Sequence, residues 1–120
     1  MAFLALRGAT TLERDTRDEV VEKTQRLVTE MLDRNDIAHD DVISIIFTAT
    51  DDIVSEFPAT AARALGLGDI PLLCARELGI THGTPLCVRV LMHFETEKAR
   101  SGLRHVYLEG ARNLRDDLPE

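Results

Sequence analysis

The sequence predicts an α+β domain built from five strands, one long helix and one short one. Three observations carry that prediction. Five short segments rich in β-branched and aliphatic residues are each bounded by glycine, proline or acidic residues. One long segment repeats its apolar residues every three or four positions. A second, shorter segment opens with a proline and closes on a glycine.

Taken in order, Phe3 to Arg7 is a short apolar run that stops at Gly8, which predicts a first strand with Arg7 at its end. From Thr16 the period changes. Thr16-Arg-Asp-Glu19 is a capping box, and Val20, Val21, Thr24, Leu27, Val28, Met31 and Leu32 form the apolar stripe of a helix ending near Asn35. Its opposite face mixes Arg17, Asp18, Glu22, Lys23, Arg26, Glu30 and Arg34, the composition of a solvated surface. Val42 to Thr50, with Ile43, Ile45, Ile46 and Phe47, predicts a second strand apolar on both faces. Pro58 to Leu65 is the short helix, with proline in its first turn and Gly66 as its stop. Gly66-Leu-Gly68 follows a helix and lacks a third glycine, so it reads as a cap and turn and not as a dinucleotide loop. Ile70 to Cys74 is the third strand. Leu86 to Thr96 is the fourth, with Val88, Val90, Met92 and Phe94 on one face and Cys87, Arg89, Leu91, His93 and Glu95 on the other. Leu103 to Leu108 is the fifth.

One helix of this length covers one sheet face. With so little chain left to cover the other face, a second copy of the chain is the economical source, and self-association is expected. The whole of residues 1–120 reads as one domain, without repeats, linkers or low-complexity stretches.

Composition excludes several classes. Fourteen Lys plus Arg against twenty-one Asp plus Glu give a net charge of −7, which argues against nucleic acid or an anionic membrane as the main partner. The longest apolar run falls far short of the roughly 20 residues that span a bilayer. The start has no basic segment ahead of its apolar stretch and Arg7 interrupts it, so a cytoplasmic protein is expected. Cys74 and Cys87 are too far apart for a CxxC motif and read as free thiols.

Catalytic constellations are sparse. Ser44, Ser55 and Ser101 stand outside any GxSxG elbow, and His39, His82, His93 and His105 lack ligand spacing, so neither a serine nucleophile nor a metal site is predicted. Cys74 lies near Arg76 but has no histidine partner in sequence, and reads as an inert thiol more than an activated one. The basic residues are the unusual feature: all but Lys23 and Lys98 are arginine, a bias that a GC-rich genome also produces. Arg7, Arg63, Arg89 and Arg115 fall inside or at the ends of predicted elements, with Glu77 and Tyr107 at analogous positions. An arginine so placed costs desolvation unless paired. Either an internal salt bridge, with Glu77 as the acid, or a small dicarboxylate ligand gripped by the bidentate guanidinium fork satisfies it.

The stretches Arg7-Gly-Ala-Thr-Thr-Leu-Glu-Arg-Asp-Thr16, Phe57-Pro-Ala59 with Ala62-Arg63, Cys74 with Glu77, Val88-Arg89-Val90, and Arg104-His-Val-Tyr-Leu-Glu109 through Leu114-Arg115-Asp-Asp-Leu118 resemble, in order and over essentially the whole chain, the monofunctional chorismate mutases of the AroH class. The resemblance implies a mixed five-stranded sheet in each subunit of a homotrimer. The three sheets would form a pseudo-α/β barrel with active sites at the subunit interfaces. It implies the Claisen rearrangement of chorismate to prephenate, on the route to phenylalanine and tyrosine, with no cofactor. By position it implies that Arg89 donates to the ether oxygen of the breaking bond and that Glu77, with the Cys74 region, meets the ring hydroxyl. Arg7 and Tyr107 would contact the side-chain carboxylate region, and Phe57, Ala59, Leu72 and Leu114 would wall the pocket. Arg63 and Arg115 would guide or cover the other carboxylate, the C-terminal segment forming part of a lid. Some members carry a lysine where this chain has Thr60, so one auxiliary cationic contact is missing. Two other classes fit the arginines: a regulatory domain that binds a carboxylate without turnover, and an enzyme such as an imine hydrolase on a similar trimer.

Overall fold

The computed structural model describes residues 2–112 and residue 114. The elements are β1 (Ala2–Thr11), α1 (Arg17–Arg34), β2 (Val42–Ala49), α2 (Pro58–Ala62), β3 (Leu72–Arg76), β4 (Cys87–Thr96) and β5 (Val106–Tyr107). The strands form one mixed sheet in the order β3-β2-β4-β1-β5. The central β4 is antiparallel to β1 and β2, while β3 and β5 add in parallel at the two edges.

α1 begins where the capping box places it: Glu19 N donates to Thr16 Oγ1 at 3.2 Å. The reciprocal half differs, because the Glu19 carboxylate reaches past Thr16 to accept from Glu13 N and Arg14 N, tying down the loop from β1. Leu27, Val28 and Met31 of α1 then bury against Leu6, Ile45, Phe47, Met92 and Phe94 of the sheet. Complete burial of such side chains, at about 1.5–3 kcal/mol each, makes this contact the main stabilising layer.

Gly8 corrects the expected end of the first strand. It lies inside β1, and a Cβ there would sit 2.6 Å from Met31 Sδ. Glycine is needed here for the close approach of α1 and not for a turn, so β1 runs on to Thr11 and Arg7 lies within the strand. The third strand starts later than expected, at Leu72, because Pro71 has no N–H for the ladder and contributes only its carbonyl, which accepts from Ile45 N at 3.0 Å. The fifth strand is only two residues long. Before it, residues Arg100–Gly102 make a 3₁₀ turn and a side chain, described below, replaces the next ladder bond; after it, Glu109 turns the chain with φ +53°. The short helix is regular only to Ala62 and widens into a π-type turn over Arg63–Leu67, ended by Gly66 at φ +87°, a conformation that glycine adopts without strain.

The second strand is buried on one face only. Ile45 and Phe47 are inaccessible, whereas Ile43 is 41% exposed and Ile46 half-buried. The cause is the layer count, since α1 and α2 both contact β2 or β1 from one side. The opposite sheet face is covered only at its β5 end, where Ala9, Cys87 and Tyr107 bury with Ala111, and is open toward the other end. Phe3 and Leu73 stand there 73% and 60% exposed, and register with Arg89 and Thr48 places Arg7 on the same face. Cys74 and Cys87 are both free.

Candidate active site

The site grows from strand parity. Thr48 of β2 and Arg89 of β4 are register partners, and Ala9 of β1 pairs with Arg89 from the other side. Arg7, two residues from Ala9, lies diagonally across on the same face, at a separation of about 7–8 Å for such neighbours. β3 ends at Arg76, and Glu77 N still donates to Ala49 O at 3.0 Å, so Glu77 is held by the tail of the ladder. Its carboxylate accepts from Thr48 Oγ1 at 2.8 Å, and Arg89 Nε lies 3.2 Å from the same Oε2. That ion pair is close but not aligned as a hydrogen bond, for the buried Nε makes none.

Glu77 and Arg89 line an open cleft of about 390 Å³, with Thr50, Asp52, Leu78, Ile80 and Pro85 on its walls. Leu78 and Ile80 are well exposed at its rim. Thr48 was not apparent as a site residue from sequence. Its place on the Arg89 face follows from period-2 alternation, but only once β2 is known to pair with β4.

The other expected site residues fall into separate groups. Phe57 and Cys74 line a second cleft of about 440 Å³ with Ile53, Val54 and Arg76. Phe57 is 65% exposed there. Arg76 holds the rim of that cleft by donating from Nη1 to Thr50 O and Ile53 O. Ala59 is packed in the core, and Leu72 is half-buried against the core on the helix-covered face. Tyr107 is buried with Ala9, Cys87 and Ala111, and Leu114 packs on that cluster. Arg63 is exposed, donating to Thr60 Oγ1 at 3.2 Å. Arg115 lies outside the described residues.

The salt-bridge account of the arginines is only partly met. Arg89 has Glu77; the half-buried Arg7 guanidinium makes no hydrogen bond or ion pair with another described residue, and Arg63 reaches only a hydroxyl. The cleft wall also carries Asp51, paired with Arg76, and Asp52, which accepts from Leu86 N, so of those three arginines the guanidiniums left without a carboxylate among the described residues are those of Arg7 and Arg63. Burial pushes the Cys87 thiol upward, against a weaker opposing pull from the Arg89 guanidinium, so it stays a neutral thiol at pH 7. Among the described residues no group of three His, Cys, Asp or Glu side chains is placed to hold a metal ion.

The loop bearing Phe57 is fixed by two carboxylates. Asp15 accepts from Ser55 Oγ at 2.6 Å and from the Val54 and Ser55 amides, and the Ser55 hydroxyl and Val54 amide hold its pKa below the ordinary value. Glu56 accepts from Phe57 N and Thr60 Oγ1 and pairs with Arg17, and is lowered first by the Phe57 amide. A depressed folded pKa contributes stability above the unfolded value and loses it as pH falls through the folded one. Asp15→Asn should therefore speed amide exchange at Val54 and Ser55 and lower the thermal midpoint at pH 7. The difference from the parent protein should close in strong acid; an equal gap at both pH values would refute the assignment.

Fold and site together define a small α+β domain whose sheet carries Arg7 and Arg89 on one face, with Glu77 beside Arg89. A family model described as chorismate mutase type I matches residues 3–118. The chain is 40% identical over 119 residues to chorismate mutase AroH of Bacillus subtilis (strain 168), covering 98% of this chain and 94% of that protein. It is 41% identical over 114 residues to chorismate mutase AroH of Thermus thermophilus, covering 94% and 93%. The solved structure of a chorismate mutase from Clostridium thermocellum superposes with a TM-score of 0.89 at 45% identity, over 90% of this chain and 96% of that one. The chain belongs to the type I chorismate mutase family, a family of isomerases.

Proposed function

We propose that this protein converts chorismate to prephenate by a Claisen rearrangement, at sites formed between subunits of a homotrimer. The observation that carries the reading is the arrangement of Arg89, Glu77 and Arg7 about one sheet face, where Arg89 pairs with Glu77 and Arg7 has no carboxylate partner among the described residues. Chorismate is a dianion with a ring hydroxyl, and this set supplies cations for its carboxylates and a preorganised acceptor for the hydroxyl.

A unimolecular pericyclic reaction needs no nucleophile and no proton transfer. Rate enhancement comes from holding the near-attack conformer and from stabilising charge as the C–O bond breaks. Arg89 meets the ether oxygen, which becomes more negative in the transition state and so binds the guanidinium more strongly there. Glu77, fixed by Thr48 and by the Leu78 amide, accepts from the ring hydroxyl.

The assembly follows from the exposed apolar residues. Phe3 and Leu73 on the open part of that face, and Phe57 beside the second cleft, need cover, and three sheets closing on one another supply it. Phe57 lines a different cleft from Arg89, and Arg63 stands at the far end of the short helix that Phe57 precedes. A neighbouring copy brings them to its site, with Arg63 as an outer contact to a carboxylate. Arg63→Ala should then raise KM about tenfold, the value of a lost charge-assisted hydrogen bond, with kcat little changed; a selective fall in kcat would reject this role.

The deciding experiment follows chorismate spectrophotometrically on addition of purified protein, with sedimentation on the same sample. Catalytic loss of chorismate to prephenate, by a species of three times the 13.4 kDa chain mass, is expected. Tight binding without turnover would identify a binding domain instead, and a monomer that turns over would remove the interface site.

A further inference from the structure

The Arg7 backbone is held in an unusual way. β5 pairs with β1 only at Gly8↔Val106 and Ala9↔Tyr107, extended by Leu108 N donating to Ala9 O at 2.9 Å. One residue earlier the ladder stops, and Arg7 N donates instead to Nδ1 of His105 at 3.0 Å. A backbone amide can only donate, so Nδ1 must carry its lone pair and the imidazole must be the neutral form with its proton on Nε2. His105 is 9% exposed, so water competes poorly for this bond.

Arg7, so held, is the strand arginine whose guanidinium has no partner among the described residues, whereas Arg76 and Arg89 have theirs, and the next residue is Gly8, which has no side chain to pack. The direction of the Arg7 side chain thus depends on its own peptide plane. We propose that His105 is a positioning residue for the reaction: its neutral, Nδ1-accepting ring fixes the Leu6–Arg7 peptide and thereby aims the Arg7 guanidinium at the bound dianion. This rests on Arg7 belonging to the chorismate site, as proposed above.

Two variants and one spectrum test it. His105→Asn keeps an acceptor, Oδ1, the same number of bonds from the backbone as Nδ1; His105→Leu keeps bulk and removes the acceptor. Nitrogen-15 NMR of the histidine rings should show Nδ1 of His105 unprotonated at neutral pH. Steady-state kinetics with chorismate should show KM raised about tenfold in His105→Leu, with a smaller change in kcat, and restored to within about threefold in His105→Asn, the difference being one backbone hydrogen bond left unmade. A protonated Nδ1 overturns the proposal, and so do parent-like kinetics in His105→Leu when Arg7→Ala is impaired. If His105→Leu does not fold, the ring spectrum and an Asn variant with unrestored KM decide in the same way. Unimpaired Arg7→Ala instead removes Arg7 from the site, and the positioning role with it, whatever the ring spectrum shows.

Discussion

Arg89→Ala is expected to lower kcat by about a hundredfold or more while KM changes only a few-fold, the cost of losing one preorganised donor to a developing oxyanion being roughly 3 kcal/mol. The reason is geometric. Arg89 sits inside a strand between two paired neighbours, Thr48 and Ala9, so its backbone cannot drift, and its Nε is held 3.2 Å from Glu77 without being consumed by an aligned hydrogen bond. A cation kept in place and only partly satisfied costs little reorganisation when the ether oxygen charges. Arg89→Lys should recover little of the loss, because it keeps the charge and discards the planar fork. Steady-state kinetics with chorismate check this, alongside thermal unfolding to confirm that the variants fold. Equal, modest changes in kcat and KM would reject the role, since they would mark a group that binds ground and transition states alike.

The second large effect concerns stability. Gly8→Val should destabilise the protein by about 1–3 kcal/mol, the usual cost of overpacking a filled core. The new Cβ would meet Met31 Sδ at 2.6 Å and Leu27 Cδ1 at 3.1 Å, both on the fully buried face of α1. Met31 ends in a flexible thioether, so Met31→Ala should relieve part of the clash. In a double-mutant cycle by urea unfolding at fixed protein concentration, the pair should cost less than the sum of the two single changes. Strict additivity would show that Gly8 is not where helix and strand meet most closely.

Much of this architecture was readable in the residues themselves. The period of three and four from Val20 to Met31 placed α1 and its buried stripe, because one-sided burial leaves that trace in any helix that covers a sheet. Alternation from Cys87 to Thr96 likewise separated the core face of β4 from the face bearing Arg89. Gly8 misled because a glycine required for close packing looks the same in sequence as one required for a turn. The fifth strand was overextended because a histidine ring that accepts a ladder bond cannot be told from a polar residue beside a strand. Arg7, Glu77 and Arg89 were grouped only by resemblance and Thr48 not at all, because the four come from separate places in the chain and no spacing rule states which strands will be neighbours. Phe57 and Arg63 were harder still, since the reading that gives them a role requires a second chain.

The strand order carries one more consequence. β1, made from the first residues of the chain, lies between β4 and β5, so Leu6 pairs with Met92 and Gly8 with Val106. A nascent chain can form α1 and the β2–β3 pair early, but the sheet cannot close until its last strands have left the ribosome. Contacts this distant in sequence make for slow folding relative to chain length. During that interval, the α1 stripe and the core face of β2 have no completed sheet between them. The acidic helix region, ten acids against five bases between Glu13 and Asp41, then gives the unfinished chain a net negative charge that disfavours association with other unfinished chains.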